Sequence, residues 1–357
     1  MKYLLILSLF MWLTGVSLFA QLIPVVEGKK LGYINPNGDL AIPFDYTTEI
    51  SYINLKYQGK TFKTFTIPTS AYFENGIATV QRENFLWFIY LSSDFLLINE
   101  KGSIVLDAGA RNLGKYNCGL VPIATRNKVI DVYIEYYTYC DINGNLLDAP
   151  FNYAGTFYED LAVVMNNGNY YHVNKFGSPI NNLAFEHANR FSEGRAAFMT
   201  DKKWGYIDNT GIIIINPVFD LAWDFHDGMA KVLEGDRYGF IERSGNYAIR
   251  PRYFAANGFS EGLASVQHES GYWGYIDKAG EFKIKPEYIS AGNFSSGLAP
   301  VDVNGKFGFI DTKGNLVINP QFDYAREFNN GIAEVWKDEK MFYMDKSGKI
   351  IWTFEIE

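Results

Sequence analysis

Cysteine, histidine and long runs of like charge are scarce in this chain of 357 residues. It has two cysteines and four scattered histidines, so it lacks the ligand set of a zinc site. The net charge is −8 at pH 7, with acidic and basic residues interspersed. The chain therefore has neither the basic stripe that binds nucleic acid nor a polybasic membrane patch. We expect no metal, no cofactor and no nucleic-acid partner.

The two cysteines leave two interpretations open. If the chain is exported, Cys118 and Cys140 meet an oxidising compartment in which a disulfide can form. Their positions in the repeat described below differ, because Cys118 falls in a turn whereas Cys140 takes the strand position of Ile207 and Ile276. This difference favours two independent thiols, and a disulfide is the alternative.

Known catalytic motifs are lacking as well, with one apparent exception. Residues Gly258–Gly262 read Gly-Phe-Ser-Glu-Gly, the pattern of a nucleophile elbow, which needs a helix after the serine. Here a strand-like segment follows, and the pattern lies in register with Phe191–Gly194 and Phe294–Gly297. We interpret the segment as a turn of the repeat, and we predict that the chain is not an enzyme.

One oxygen-rich segment, Asp141–Asn145 with Asp148 beyond it, suggests a calcium loop. The spacing and the bidentate glutamate of an EF-hand are lacking, and the same position in other repeats is an ordinary turn. The turn is the favoured interpretation.

The first twenty residues differ in kind from the rest. Lys2 is followed by an apolar stretch from Leu4 to Leu13 and then by small residues up to Ala20. This arrangement predicts a secretory signal peptide cleaved after Ala20, with an uncleaved anchor as the alternative. After signal removal we expect no membrane span, and we expect an exported protein of the periplasm, the cell surface or the medium.

A short turn that ends in glycine recurs along the whole chain. From Gly177 onward these glycines are 34, 34, 35, 34 and 34 residues apart. Asp or Asn at the first position and Gly at the fourth are typical of a type I turn with a bulge between antiparallel strands. The turns are Asn35–Gly38, Asn99–Gly102, Asp141–Gly144, Asn174–Gly177, Asp208–Gly211, Glu242–Gly245, Asp277–Gly280, Asp311–Gly314 and Asp345–Gly348.

Each copy predicts three short strands and no helix. One strand precedes the turn, as in Trp204–Ile207, and a second follows it, as in Gly314–Asn319. A proline six residues past the glycine, such as Pro320, is expected to end the second strand. An aromatic 14 residues past the glycine then leads into a third strand such as Leu298–Val303. The predicted fold class is all-β, with about nine tandem units of roughly 34 residues.

These units resemble the WG (Trp-Gly) repeat family. Two copies carry the literal pattern, Trp204–Asp208 and Trp273–Asp277, and a third carries Phe307–Asp311. The resemblance implies a bacterial envelope or secreted protein that acts as an interaction module, and the family supplies no catalytic residues. The residues taken as defining the repeat, in a structural role, are Trp204, Gly205, Asp208, Gly211, Trp273, Gly274, Asp277, Gly280, Gly308, Asp311 and Gly314.

The copies divide the chain by regularity. Residues 21–175 hold degenerate copies with insertions and residues 176–357 hold regular copies, the last of them partial. The insertion at Thr47–Ile67 and the longer hairpins at Phe85–Leu97 and Val129–Tyr139 are expected on one face of the array, which is often the functional face.

The ends of the chain bear on the overall shape. Leu22–Val26 matches the third strand, and Met341–Phe354 holds only the first two strands, so the array begins and ends within a repeat. We predict an open, curved solenoid, and a closed propeller-like toroid is the alternative.

The recurrent aromatics are predicted to pack in the core between units, and an exposed platform is the alternative. Non-recurrent aromatics are better candidates for ligand binding, namely Trp87, Trp223 and Trp336. The predicted function is a non-enzymatic scaffold for an unknown protein partner, and a carbohydrate or cell-wall binding module is the alternative.

Overall fold

The chain folds into successive antiparallel sheets. Each of the later repeats forms its own sheet, whereas the first two repeats are joined into one six-stranded sheet through Thr47 and Gln81. A computed structural model describes residues 22–47, 51–67, 71–86, 89–110, 113–129 and 132–354. All 32 regular elements in these residues are β-strands, which confirms the all-β class. Within the same residues, no helix has the length and apolarity needed to cross a membrane.

Nine units can be distinguished in the described residues, and a separate hairpin lies between the first two. Unit 1 contains β1 (Ile23–Glu27), β2 (Lys30–Ile34) and β3 (Leu40–Thr47), and the insertion hairpin contains β4 (Ser51–Tyr57) and β5 (Lys60–Thr66). Unit 2 contains β6 (Ile77–Leu86), β7 (Ile89–Asn99) and β8 (Ile104–Ala110), unit 3 contains β9 (Val121–Val129) and β10 (Val132–Cys140), and unit 4 contains β11 (Tyr153–Ala154), β12 (Leu161–Asn166) and β13 (Asn169–Asn174).

The remaining five units are the regular ones. Unit 5 contains β14 (His187–Ala188), β15 (Arg195–Thr200), β16 (Lys203–Asp208) and β17 (Ile213–Phe219), and unit 6 contains β18 (Leu221–His226), β19 (Met229–Glu234), β20 (Arg237–Glu242) and β21 (Tyr247–Tyr253). Unit 7 contains β22 (Ala264–Gln267), β23 (Trp273–Ile276) and β24 (Phe282–Tyr288), unit 8 contains β25 (Ser290–Ala291), β26 (Leu298–Val303), β27 (Lys306–Asp311) and β28 (Leu316–Phe322), and unit 9 contains β29 (Tyr324–Ala325), β30 (Ile332–Lys337), β31 (Lys340–Asp345) and β32 (Ile350–Phe354).

A complete unit is a four-stranded sheet in which each strand pairs with the next along the chain. We name its members the short strand and the first, second and third strands, as in β14, β15, β16 and β17. The turn between the second and third strands has the predicted form. Asp208 Oδ1 accepts hydrogen bonds from the main-chain N–H groups of Thr210 and Ile212, both at 3.0 Å, and Gly211 has a φ of +85°.

The glycine of the Trp-Gly pair lies under a bulge in the third strand. Trp204 pairs with Phe219 but Tyr206 pairs with Ile215, so the third strand has extra residues opposite Gly205. A Cβ at Gly205 would lie 2.4 Å from the Ile215 oxygen and 2.8 Å from the Pro217 nitrogen. The expectation that proline ends this strand was therefore wrong, because Pro217 lies inside it, at a bulge that needs no ladder donor.

The core lies in the seams between consecutive sheets. Tyr206 of unit 5 is fully buried and packs with Phe225 of unit 6 at a ring-centroid distance of 5.1 Å. Its hydroxyl donates a hydrogen bond of 2.8 Å to the main-chain oxygen of Trp223. Tyr275 of unit 7 makes the same bond to Gly292 of unit 8, also at 2.8 Å. Tyr206 and Tyr275 are core residues, as predicted for the recurrent aromatics. Trp204 and Trp273 are only partly buried and pack against the edges of the same clusters.

The array closes on itself, so the predicted open solenoid was wrong and the toroid is correct. Tyr343 of unit 9 donates a hydrogen bond of 3.2 Å to the main-chain oxygen of Pro24 in unit 1. The ring centroids of Phe44 in unit 1 and Trp352 in unit 9 lie 6.1 Å apart. One hydrophobic cluster contains residues of both terminal units.

No unit is split between the termini in the described residues. β1 pairs with β2 of its own unit through the register Ile23↔Ile34, and β30, β31 and β32 complete unit 9. Side-chain packing therefore closes the ring without a shared sheet.

The three N-terminal extensions leave the ring from the same end. β6 with β7, and β9 with β10, extend the hairpin between the first and second strands. The insertion hairpin follows β3, whose last residue, Thr47, pairs with Lys30 at the start of β2, and this places it at that end too.

The insertion hairpin then reaches unit 8. The Tyr57 ring lies 5.2 Å from that of Phe307 and 5.8 Å from that of Tyr324, and its hydroxyl donates to the buried carboxylate of Asp302 at 2.5 Å. Gln58 Nε2 donates to the same carboxylate oxygen at 2.9 Å. Through these contacts the hairpin links the N-terminal part of the ring to its C-terminal part.

Replacing Tyr57 with Phe should loosen this fastening. The buried Asp302 carboxylate loses one charge-assisted hydrogen bond, so we expect the free energy of unfolding to fall by ~1–3 kcal/mol in urea denaturation. Tyr272→Phe is the control, since Tyr272 is 48% exposed and its change should be within about 0.5 kcal/mol. Equal stability of the two variants would contradict the fastening role of Tyr57.

Candidate functional site

A cavity of about 950 Å³ lies along the segments that precede the first strands of units 4 to 8, which include the short strands where these are present. Each unit contributes the residue that precedes its recurring phenylalanine, namely Thr156, Arg190, Asp224, Gly258 and Asn293. Five successive units can share one concavity only on the inside of a curve. The short strands therefore face the axis of the ring.

A second cavity, of about 820 Å³, lies at the corresponding place on units 9, 1, 2 and 3. Four of the six charged side chains that line it form two ion pairs. Lys115 contacts Glu74 at 2.8 Å, and Arg326 contacts Glu334 at 2.9 Å. Burial raises the pKa of Glu334, and the Arg326 guanidinium counteracts this rise. Most of the charge in this cavity is thus neutralised within the protein.

One position of the first strand shows how unusual a charge is at the axis. It is the residue that pairs with the buried seam residue of the second strand, as Ala197 pairs with Tyr206 and Lys231 with Phe240. Two of the nine are charged, Lys231 in unit 6 and Glu334 in unit 9, and each lines one of the two cavities. The other seven are small or apolar residues or carry a hydroxyl: Pro24, Thr79, Pro122, Val163, Ala197, Ser265 and Pro300.

Unit 6 departs from the repeat at further lining positions. Trp223 stands where units 5 and 7 have asparagine, and His226 stands where they have Ser192 and Ser260. Both serines donate to the main-chain oxygen of the next unit's phenylalanine, at 2.7 and 2.6 Å. A tryptophan and a histidine at these positions are therefore not required by the repeat.

Arg190 crosses the boundary between units 5 and 6. Its guanidinium lies 4.3 Å from the centre of the Tyr158 ring, and its Nε donates to Asp224 at 3.0 Å. Asp224 also accepts from Asn189 Nδ2 at 3.4 Å. Burial by itself lowers the pKa of Arg190, but the hydrogen bond and the negative charge of Asp224 outweigh this effect, so the pKa is raised. This wall of the cavity is polar and internally paired.

Lys231 has a different environment. Its Nζ lies 4.2 Å from the centre of the Trp223 ring and 5.2 Å from that of Tyr238. One N–H donates to the main-chain oxygen of Ala256 at 2.9 Å. In the described part of the chain no carboxylate lies within 4.0 Å of this ammonium group, and burial lowers the pKa of Lys231.

His172 supports the cavity wall from behind. It is buried against Phe191, with ring centroids 4.9 Å apart, and its Nε2 contacts the main-chain oxygen of Asn189 at 2.8 Å. Because a carbonyl accepts, Nε2 carries the proton of the neutral ring. Burial lowers the pKa of His172 to about 4, although the hydrogen bond to Asn189 opposes this.

The structure separates the three tryptophans that were predicted to bind a ligand. Trp223 lines the cavity of units 4 to 8. Trp336 is fully buried and packs on Tyr324 with ring centroids 5.4 Å apart, so a ligand cannot reach it and that prediction was wrong. Trp87 lies outside the described residues.

Other candidate residues have structural roles. Ser260 of the apparent nucleophile elbow lines the cavity, but its hydroxyl donates to the Phe294 main-chain oxygen. Asp141 accepts from the main-chain N–H groups of Asn143 and Asn145 at 2.8 and 2.9 Å, as in an ordinary turn. Within the described residues, no group of three or more His, Cys, Asp or Glu could hold a metal ion.

The cysteines form no bridge. Cys118 and Cys140 are both free, as the difference in their repeat positions indicated. Burial raises the pKa of Cys140 to about 11, so its thiol stays protonated near neutral pH.

Sequence reasoning missed Arg190, Asp224 and Lys231. The available signal was departure from the repeat at aligned positions, which we applied to tryptophan and not to charged residues. What the arrangement offers chemically is aromatic surface, hydrogen-bonding groups and one ammonium group, which together suit binding.

Comparison with known proteins identifies the repeat. A family model described as "WG containing repeat" matches six consecutive segments that together span more than half of the chain, at residues 137–170, 173–204, 204–238, 238–272, 273–307 and 307–340. A search of curated proteins gave no match.

Several solved structures are distantly similar. Apo AztD from Citrobacter koseri has 12% identity and a TM-score of 0.40, with 94% of each chain covered. BamB from Moraxella catarrhalis has 12% identity and a TM-score of 0.36, covering 85% of this chain and 98% of that one. Chaetomium thermophilum Sqt1 bound to the N-terminus of ribosomal protein L10 has 10% identity and a TM-score of 0.36, covering 66% and 84%. No functional conclusion follows from likenesses this weak.

The pKa of His172 predicts a pH dependence of stability. The unfolded chain binds this proton near the ordinary value of 6.5 and the folded chain only near 4, so the stabilisation is complete above 6.5 and is lost as pH falls toward 4. The loss is at most roughly 3 kcal/mol. His172→Phe, which introduces the residue that units 6 and 8 have there, should flatten urea-derived stability over this range. An unchanged slope would show that other groups cause it.

Proposed function

This chain belongs to the WG repeat family, and from that premise we propose that it is a non-enzymatic interaction scaffold whose axial cavity binds an extended segment of a partner protein. The observation that carries the proposal is the concentration of non-repeat side chains in unit 6 at this cavity. Trp223, His226 and Lys231 all line it, and units 5 and 7 have other residues at these three positions.

The size and chemistry of the cavity suit a few residues of an extended chain. About 950 Å³ lies at the upper end of the range for ligand sites. Thr156 and Asn293 also line the cavity, and side chains of these types can pair with main-chain groups of a bound segment.

A glycan is the second candidate, because aromatic rings with nearby amides and carboxylates also bind sugars. Against it, the two rings best placed for stacking each have a cation on one face, Arg190 on Tyr158 and Lys231 on Trp223. A partner that brings its own polar and charged groups suits these capped rings better than a neutral sugar does.

Export is part of the proposal. Residues 1–20 lie outside the described residues, and the proposal is supported by their sequence, in which Lys2 precedes an apolar stretch and Ala20 follows it. We expect N-terminal sequencing of the cellular protein to begin at Gln21, in an envelope or secreted fraction. A cytoplasmic species that retains Met1 to Ala20 would contradict export.

Peptide selection tests the binding function. We expect a displayed library of random 12-residue peptides to yield sequences that bind the purified protein and Arg250→Met, and that bind Arg190→Met at least about tenfold more weakly. Arg250 is an exposed arginine of unit 6 and serves as the matched control. A selection without enriched peptides, together with retention on a glycan array, would overturn the protein-partner proposal in favour of the glycan.

A further inference from the structure

Lys231 is unusual among the charged residues of the axial cavities. Each carboxylate that lines the cavity of units 4 to 8 is engaged elsewhere. Asp224 accepts from Arg190, Glu193 accepts from Arg243 at 2.8 Å, and Asp227 accepts from the Gly262 N–H at 2.6 Å. None of them lies within ion-pair distance of Lys231 in the described residues.

The protein satisfies this ammonium group only in part. A lysine has three N–H donors, and one of them is used by the main-chain oxygen of Ala256. The rings of Trp223 and Tyr238 lie against the charge and hold it in place without neutralising it. At least one donor remains for a group that enters the cavity.

The repeat does not require a charged residue at the position of Lys231. Ala197 and Ser265 occupy it in the two neighbouring units, so an uncharged side chain fits the fold there. Taking an ammonium group out of water costs free energy unless an anion compensates it. In the second cavity, Glu334 is compensated by Arg326 from within the protein. We therefore expect the positive charge of Lys231 to be compensated by an anionic group of a bound partner.

We propose that Lys231 is the receptor for a carboxylate of the bound segment, held between the Trp223 ring and the Ala256 carbonyl. This inference rests on the proposed function. The carboxylate belongs either to an Asp or Glu side chain or to the C-terminus of the partner. Both present the same two oxygens to the ammonium group, and the experiment below distinguishes them.

The experiment continues from the selected peptides. The tightest binder is synthesised in three forms: unchanged, with each acidic side chain replaced by its amide, and with an amidated C-terminus. Binding of each form is measured by calorimetry to the wild-type protein, to Lys231→Met and to Lys278→Met. Lys278 lies exposed in a turn of unit 7 and controls for the loss of one positive charge.

We expect one of the two amidated forms to bind wild-type protein and Lys278→Met about tenfold more weakly or worse, and to bind Lys231→Met as the unchanged peptide does. Which form weakens identifies the source of the carboxylate. The proposal is overturned if neither form weakens binding, or if the loss is equally large in Lys231→Met.

A stability measurement separates binding from packing. If Lys231 serves only to pack on Trp223, then Lys231→Met lowers the melting temperature of the free protein. If it serves to bind, the melting temperature is equal or higher, because a partly buried ammonium group that has no carboxylate within 4.0 Å in the described residues has been removed.

Failure of this inference differs from failure of the proposed function. If the peptides bind Arg190→Met more weakly but are unaffected by amidation, the proposed function stands and the role of Lys231 is overturned. A selection without enriched peptides overturns both. Retention of acidic glycans alone, dependent on Lys231, also overturns the peptide carboxylate and assigns the cavity to a sugar.

Discussion

Each unit of this ring is joined to the next by a large side chain of its second strand, buried in the seam between consecutive units. The side chain is an aromatic ring in eight of the nine units of the described residues and Leu97 in unit 2. Where that residue is tyrosine or histidine, it also donates a hydrogen bond to a main-chain oxygen of the following unit, as Tyr206 does to Trp223 and His172 does to Asn189. The bond from Tyr343 to Pro24 repeats the arrangement across the chain termini. Because each bond is local to one seam, the same interaction builds the array and closes it.

The Trp-Gly pair follows from the same seam. Trp204 and Tyr206 carry the large rings of the second strand, and the third strand bulges opposite the residue between them. Gly205 permits this approach, and Pro217 can occupy the bulge because no ladder partner needs its nitrogen. The sequence pattern that defines the family is thus a consequence of packing. It carries no information about the ligand, which has to be sought at positions where the repeat does not dictate the residue.

Local features of the fold could be predicted, because local chemistry determines them. The turn at Asp208 and Gly211 and the buried position of Tyr206 depend on residues close in sequence. Closure could not be predicted, since it depends on a small rotation between units that no single residue encodes. The site could be predicted only in part. Rarity drew attention equally to Trp223 and Trp336, but only the fold shows that one faces the axis and the other the core.

Lys231 was missed for a related reason. In sequence it is one of 32 basic residues, and nothing in its immediate neighbours distinguishes it. Its position becomes informative only when the nine first strands are aligned and the axial side of each strand is known. Seven equivalents without charge then show that the fold does not need a lysine there. The ammonium group is partly buried against Trp223 and has no carboxylate within 4.0 Å in the described residues, and desolvation without an anion is unfavourable. In a repeat protein, a charged residue at a position where most units have an uncharged one is therefore a candidate for ligand binding.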